Sequence, residues 1–149
     1  MINLSKRIAM GACASTLLCA ASLAAANDKP YTEGNVVNVS AIRTEYGHFD
    51  DYMKFLAGNW KKEMEAEKAA GLIVGYEVLS AEPRGPNDPD IYLVVTYKNW
   101  AALDGFGDKS DVIASKIYGS VVKSDEGAID RGKIRRTLGS ETIQELVLK

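Results

Sequence analysis

The chain predicts an α+β domain: one antiparallel sheet carrying its helices on one face. Two observations support this. Four segments of strand character and two helical regions follow the order β-α-β-β-α-β. The strands are also apolar on both faces, so the helices can cover only one of the two. That leaves a sheet face in need of a partner, and a second copy of the chain would supply one.

The elements follow in order. Asn27 to Gly34 is polar, contains Pro30 and reads as a flexible tail ahead of a domain spanning residues 35–149. Val36 to Thr44 alternates, with Val37, Val39 and Ala41 on one face and Asn38, Ser40 and Ile42 on the other. Gly47 ends that strand. Phe49, Met53, Leu56, Trp60 and Met64 then mark one face of a helix, with Asp50 and Asp51 in the first turn, where the dipole favours negative charge. Gly71 suits the left-handed position that closes a helix, with Leu72 as its apolar partner. Leu72 to Leu79 is the second strand. Ser80 to Asp90, "SAEPRGPNDPD", holds three of the four prolines and reads as a loop.

Ile91 to Lys98 is the third strand, with Ile91, Leu93, Val95 and Tyr97 on one face and Tyr92, Val94 and Thr96 on the other. Asn99 is placed to cap a helical region running from Trp100 to about Thr137. Gly105 and Gly107 interrupt it, Ser110 can cap a second piece, and "KSDEG", Lys123 to Gly127, breaks it again before Ile129 to Arg136. Thr142 to Leu148 is a short last strand. This order is that of the ferredoxin-like split βαβ sandwich.

The first 26 residues read as a secretory signal peptide. Lys6 and Arg7 precede an apolar stretch from Ile8 to Leu23, and Ala24-Ala25-Ala26 offers the small residues of a cleavage site. Cleavage leaves 149 − 26 = 123 residues, enough for one domain, in the periplasm or outside the cell. Cys13 and Cys19 both lie in the leader, so the mature chain has no thiol for disulfides, metal or nucleophilic catalysis. Its formal charge is 16 − 20 = −4, because the leader takes two of the 18 basic residues and none of the 20 acidic ones. No basic patch recommends nucleic acid or an anionic membrane surface as a partner.

The strand ending at Arg43, "YGHFDDYMKFL", "GLIVGYEVL" and "YLVVTYKNWAALDGF" followed by "KSDV" resemble the dimeric α/β-barrel superfamily of antibiotic-biosynthesis-type and haem-degrading monooxygenases. The resemblance spans most of Val36 to Lys149 and implies a homodimer whose paired sheets form a barrel. It does not carry haem degradation over. Asn38 could stand for the first-strand Asn of the haem-degrading members. Aligning "KSDV" with that group, however, puts Phe106 where they have Trp and Ile117 where they have the iron-ligating His.

Candidate site residues follow. His48 is the only histidine and the one candidate general base, though it also suits an ordinary strand-to-helix turn. Asn38, Tyr76, Tyr92, Tyr97, Trp100 and Phe106 could line a cavity for a small, apolar or aromatic ligand, or could simply fill a core. Trp100 in particular fits a plug at the sheet edge whose N–H finds a carbonyl. No metal-binding loop and no cofactor motif is present, and "NDPD", Asn87 to Asp90, reads as a turn. The expectation is an exported, homodimeric small-molecule-binding protein. A cofactor-independent monooxygenase-like enzyme and a structural or regulatory dimer without a cavity are the alternatives.

Overall fold

A computed structural model describes residues 29–149. The signal peptide expected over residues 1–26, and residues 27–28 of the tail, lie outside the described residues. The fold is α+β and ferredoxin-like. Four strands, β1 (Tyr31–Thr44), β2 (Gly75–Ser80), β3 (Ile91–Tyr97) and β4 (Arg135–Leu148), form one sheet in the order β2-β3-β1-β4. Every neighbouring pair is antiparallel. Helices α1 (Phe49–Phe55), α2 (Lys61–Ala69), α3 (Phe106–Tyr118) and α4 (Val121–Arg131) complete the domain.

The core lies between the helices and one sheet face, in two clusters. Val36, Met64, Ile73 and Tyr97 form one, and Ile42, Tyr52, Leu56 and Ile91 the other. Trp60 packs against both.

The first helical region differs from the simple helix expected. A π-helical turn, Leu56–Trp60, joins α1 to α2 without a break. Its cause is visible in the spacing. Tyr52, Leu56, Trp60 and Met64 recur every four residues, longer than the 3.6 of an α-helix. The wider turn takes up the excess and keeps all four on the core. Phe49, expected on that face, is exposed, and the buried residue of the first turn is Tyr52. The exit follows the expectation. Gly71 has φ +72°, its N–H bonds to Lys68 O and that of Leu72 to Glu67 O, the paired bonds of a Schellman closure.

Several boundaries are corrected. Residues 31–34, expected as tail, belong to β1, where Tyr31, Thr32 and Glu33 pair with Leu148, Val147 and Leu146. The second strand begins at Gly75 rather than Leu72, and Ile73 ahead of it is buried in the core. In the second helical region Asn99 does cap, accepting from Ala102 N at 3.1 Å, but the turn it opens is 3₁₀, Trp100–Leu103. α3 then starts behind Gly105 in the left-handed conformation, not behind Ser110, and the next break falls at Gly119–Ser120 rather than "KSDEG", with Ser120 capping α4. Finally, the helix expected to reach Thr137 ends at Arg131, and the last strand runs the full length of β1. Among the described residues no helix is long and apolar enough to cross a membrane.

Candidate functional site: the open face of the sheet

The strand registers assign every sheet side chain to a face. On the helix side, rows read Tyr76–Val95–Asn38–Thr142 and Val78–Leu93–Ser40–Ser140 across β2, β3, β1 and β4. The rows are mainly apolar over β2 and β3, where the core sits, and polar over β1 and β4. Asn38 Nδ2 donates to Thr142 Oγ1 at 3.0 Å, Ser40 and Ser140 share a 2.7 Å hydrogen bond, and Trp100 Nε1 donates to Gln144 Oε1 at 3.0 Å.

On the opposite, open side the rows read Gly75–Thr96–Val37–Ile143, then Glu77–Val94–Val39–Glu141, then Leu79–Tyr92–Ala41–Gly139. Arg43 and Arg136 stand opposite one another beyond the last of these. The middle of this face is aliphatic and aromatic, and among the described residues no helix lies over it. Leu79 and Ile143 are nearly half exposed, at 47% and 48%.

The face contains a recess of about 260 Å³, lined by Val39, Ala41, Tyr92, Gly139, Ser140 and Glu141. Its floor is low because the two residues paired there, Ala41 and Gly139, are small. The register of β1 with β4 shifts between Ala41 and Ile42, so Leu138 is an extra residue in β4 just beyond Gly139. Such a bulge re-aims neighbouring side chains. A Cβ built on Gly139 meets no atom within 4 Å, so the recess is space a side chain could occupy. The walls are Val39 and the Tyr92 ring, an apolar body with a hydroxyl handle.

The sequence-predicted residues are distributed as follows. Tyr92 alone of the set lies on the open face. Tyr97 and Phe106 meet edge to face on the helix side, with ring centres 5.2 Å apart, and both belong to the core cluster around Val36. Tyr76 packs edge-on to Trp60 at 5.3 Å. Trp100 is half exposed at 49%, and with Asn38 it borders the polar strip of β1 and β4. Its N–H finds a side-chain carbonyl, as expected of an edge plug. His48 occupies the cap position of α1, its Nδ1 3.1 Å from Asp51 Oδ2. That contact can hold the ring in one tautomer, but it lies within a surface turn of α1 and not at the recess.

The residues that sequence reasoning missed are Gly139 and Glu67. A glycine within a strand marks a bulge or a close approach, which was the available signal for the first. Glu67, on α2, is 1% exposed. Its Oε1 accepts from Ser110 Oγ at 2.6 Å, and among the described residues its Oε2 has no partner. One turn earlier, Glu63 accepts from Tyr118 Oη at 3.0 Å. Burial raises the affinity of both carboxyls for a proton, and raises that of the Tyr97 and Tyr118 hydroxyls as well. Among the described residues no group of three or more His, Cys, Asp or Glu side chains is placed to hold a metal ion.

The second helical region gives a direct test of the haem expectation. Ile117 on α3 offers no nitrogen, and an iron ligand must bring one to about 2 Å. Titration with haem should give no Soret shift beyond weak nonspecific binding. A tight one-to-one complex whose spectrum disappears in His48→Ala would refute this and make His48 a ligand.

No protein-family model matches the chain, and comparison with curated proteins finds no similar sequence. Among solved structures, it is similar to a protein from Shewanella oneidensis, at 17% identity and TM-score 0.48, over 78% of this chain and 96% of that one. It is similar also to two proteins from uncultured marine organisms, each described as a dimeric ferredoxin-like protein. The first is 11% identical with a TM-score of 0.48, covering 79% of this chain and 90% of that one. The second is 13% identical with a TM-score of 0.45, covering 79% and 98%.

Proposed function

We propose that this protein is an exported homodimer that binds a small apolar or aromatic compound in the recess on the open face of its sheet. One observation carries the reading: an uncovered apolar face whose centre is hollowed at the Ala41–Gly139 pair and walled by Tyr92. A second copy laid on this face would enclose the recess and satisfy the exposed Leu79 and Ile143. Stable interfaces bury about 800 Å² per partner, an area that a four-stranded face of this kind can supply. The ligand is then held by apolar burial, at about 25 cal/mol per Å² of apolar surface removed from water, and oriented by the few polar groups at the margin. The monooxygenase-like alternative needs a base, and the candidate His48, at the N-terminal cap of α1, is not among the residues that line the recess.

The test is native mass spectrometry of protein purified from its own source. A dimer retaining a small organic molecule is expected. Gly139→Leu, which fills the recess without backbone strain, should release that molecule and leave the dimer intact. Retention of the molecule by Gly139→Leu would place the site elsewhere. Export is checked in the same spectrum: the mature chain should begin at Asn27, and a stable membrane-bound product that keeps Met1 to Ala26 would count against it.

A further inference from the structure

We infer that Arg43 and Arg136 form an anion subsite at the margin of the recess, so that the compound bound there is an apolar-bodied carboxylic acid. This rests on the reading of the recess as a ligand site.

The two arginines are directly paired across β1 and β4. Like charges opposed in this way destabilise a sheet. The neighbouring Arg135 has a structural use, since its guanidinium lies over the Tyr52 ring on the helix side. Arg43 has no comparable use. Among the described residues it makes no ion pair, and its Nη1 donates only to the Asp88 backbone carbonyl, at a long 3.4 Å. Arg136 is held at Nε by Glu45 at 3.0 Å, an edge contact that leaves its two terminal nitrogens. The nearby Asp90 carboxylate is engaged by the backbone N–H and hydroxyl of Thr44. Glu45 and Asp90 balance the formal charge of the pair, but among the described residues the Arg43 guanidinium keeps donors that no carboxylate engages, and that forked geometry suits a carboxylate.

Position links these donors to the recess. Arg43 lies two residues beyond Ala41 on the same face, about 7 Å along the strand. Both arginines line a hollow of about 460 Å³ that adjoins this end of the sheet, with Glu45, Asp90, Tyr46, Phe49, Pro83 and Pro86 among its walls. Glu141 lines the recess as well, one row further from the arginines. A molecule with an apolar body and one carboxylate is thus oriented from both sides, repelled at Glu141 and bound at Arg43.

The experiment uses 1-naphthoate and its neutral counterpart 1-naphthamide as probes, titrated calorimetrically into the dimer. Naphthoate should bind more tightly by about ten-fold or more, the effect of one charge-assisted hydrogen-bonded contact. Arg43→Gln should remove that preference and leave naphthamide binding unchanged, with Arg136→Gln as a second variant should the first not fold. Gly139→Leu should weaken both probes alike. Equal wild-type affinity for acid and amide overturns the anion subsite and leaves the recess standing. A preference for naphthoate that survives both arginine variants also overturns it. If Arg43→Gln yields a monomer without altering the acid-to-amide ratio, the arginine serves the dimer interface and the inference is wrong. Naphthoate binding unaffected by Gly139→Leu, or no binding of either probe at millimolar concentration, overturns the recess and the subsite together.

Discussion

Val94→Lys should turn the protein into a monomer, or into insoluble material. Val94 sits on β3 in the middle of the open face, between Val39 on β1 and Glu77 on β2. In a dimer built on this face it lies under the partner sheet. A lysine there must lose its hydration shell, and Glu77, directly opposite on β2, is desolvated with it. Burying such a pair costs several kcal/mol, roughly 3 or more after the mutual attraction, which weakens association by about two decades or more. Tyr92→Lys should act in the same way and also destroy the recess wall. Val112→Lys, on the exposed side of α3, is the control and should leave the mass unchanged. Light scattering on a sizing column reads the result. A soluble wild-type monomer at micromolar concentration would refute the dimer and the enclosed recess with it.

The open face was legible in the sequence only as a surplus of apolar residues. Alternation in β1 and β3 sorted the side chains correctly into two sets. Period two says which residues share a face; it does not say which face meets the helices. For β3 both sets are apolar, so Tyr92 and Tyr97 looked equivalent, yet one borders the recess and the other is buried against Phe106. What settles the matter is register between strands distant in sequence. The pairing of Ala41 with both Tyr92 and Gly139 makes the recess.

The local signals that could be read were those with a local cause. Asn99 caps because its side chain accepts a bond three residues on, and Gly71 closes α2 because a left-handed residue costs glycine nothing. β4 was hidden for the opposite reason. Its N-terminal half, "RRTLGSE", is polar and solvent-exposed on both faces, so it shows no alternation. It is a strand because β1 is long enough to pair with it from Tyr31 to Thr44. Likewise Ser110 looks like a cap from its neighbours, but lies inside α3 and is spent on Glu67.

That contact leads to the second large effect, a gain in stability on acidification and in Glu67→Gln. Glu67 is buried between α2 and α3 with one oxygen unpartnered. Desolvation is the main cause of its raised proton affinity and the adjacent Glu63 adds to it, while the Ser110 hydrogen bond opposes both. Glu63 is raised in the same direction by burial, against the Tyr118 hydrogen bond and the Arg131 charge. The sign follows from linkage. The folded state holds these protons more tightly than the unfolded chain, whose glutamates titrate near 4.5. Their favourable contribution is therefore complete below pH 4.5 and is lost as pH rises through the raised folded values. An unsatisfied buried polar group costs about 1–3 kcal/mol, and more when charged. Glu67→Gln keeps the acceptor for Ser110 and removes the charge, so it should stabilise the domain by about 1–3 kcal/mol at pH 7–8. For a chain of this size that is a rise in Tm of roughly 4–10 °C. Near pH 4, where wild-type Glu67 is protonated, the two proteins should melt together. Thermal denaturation followed by circular dichroism from pH 4 to pH 8 measures the difference. A Glu67→Gln offset that is constant across that range would show that Glu67 does not titrate there. A Glu67→Gln Tm below wild type at pH 8 would show that its charge is compensated after all.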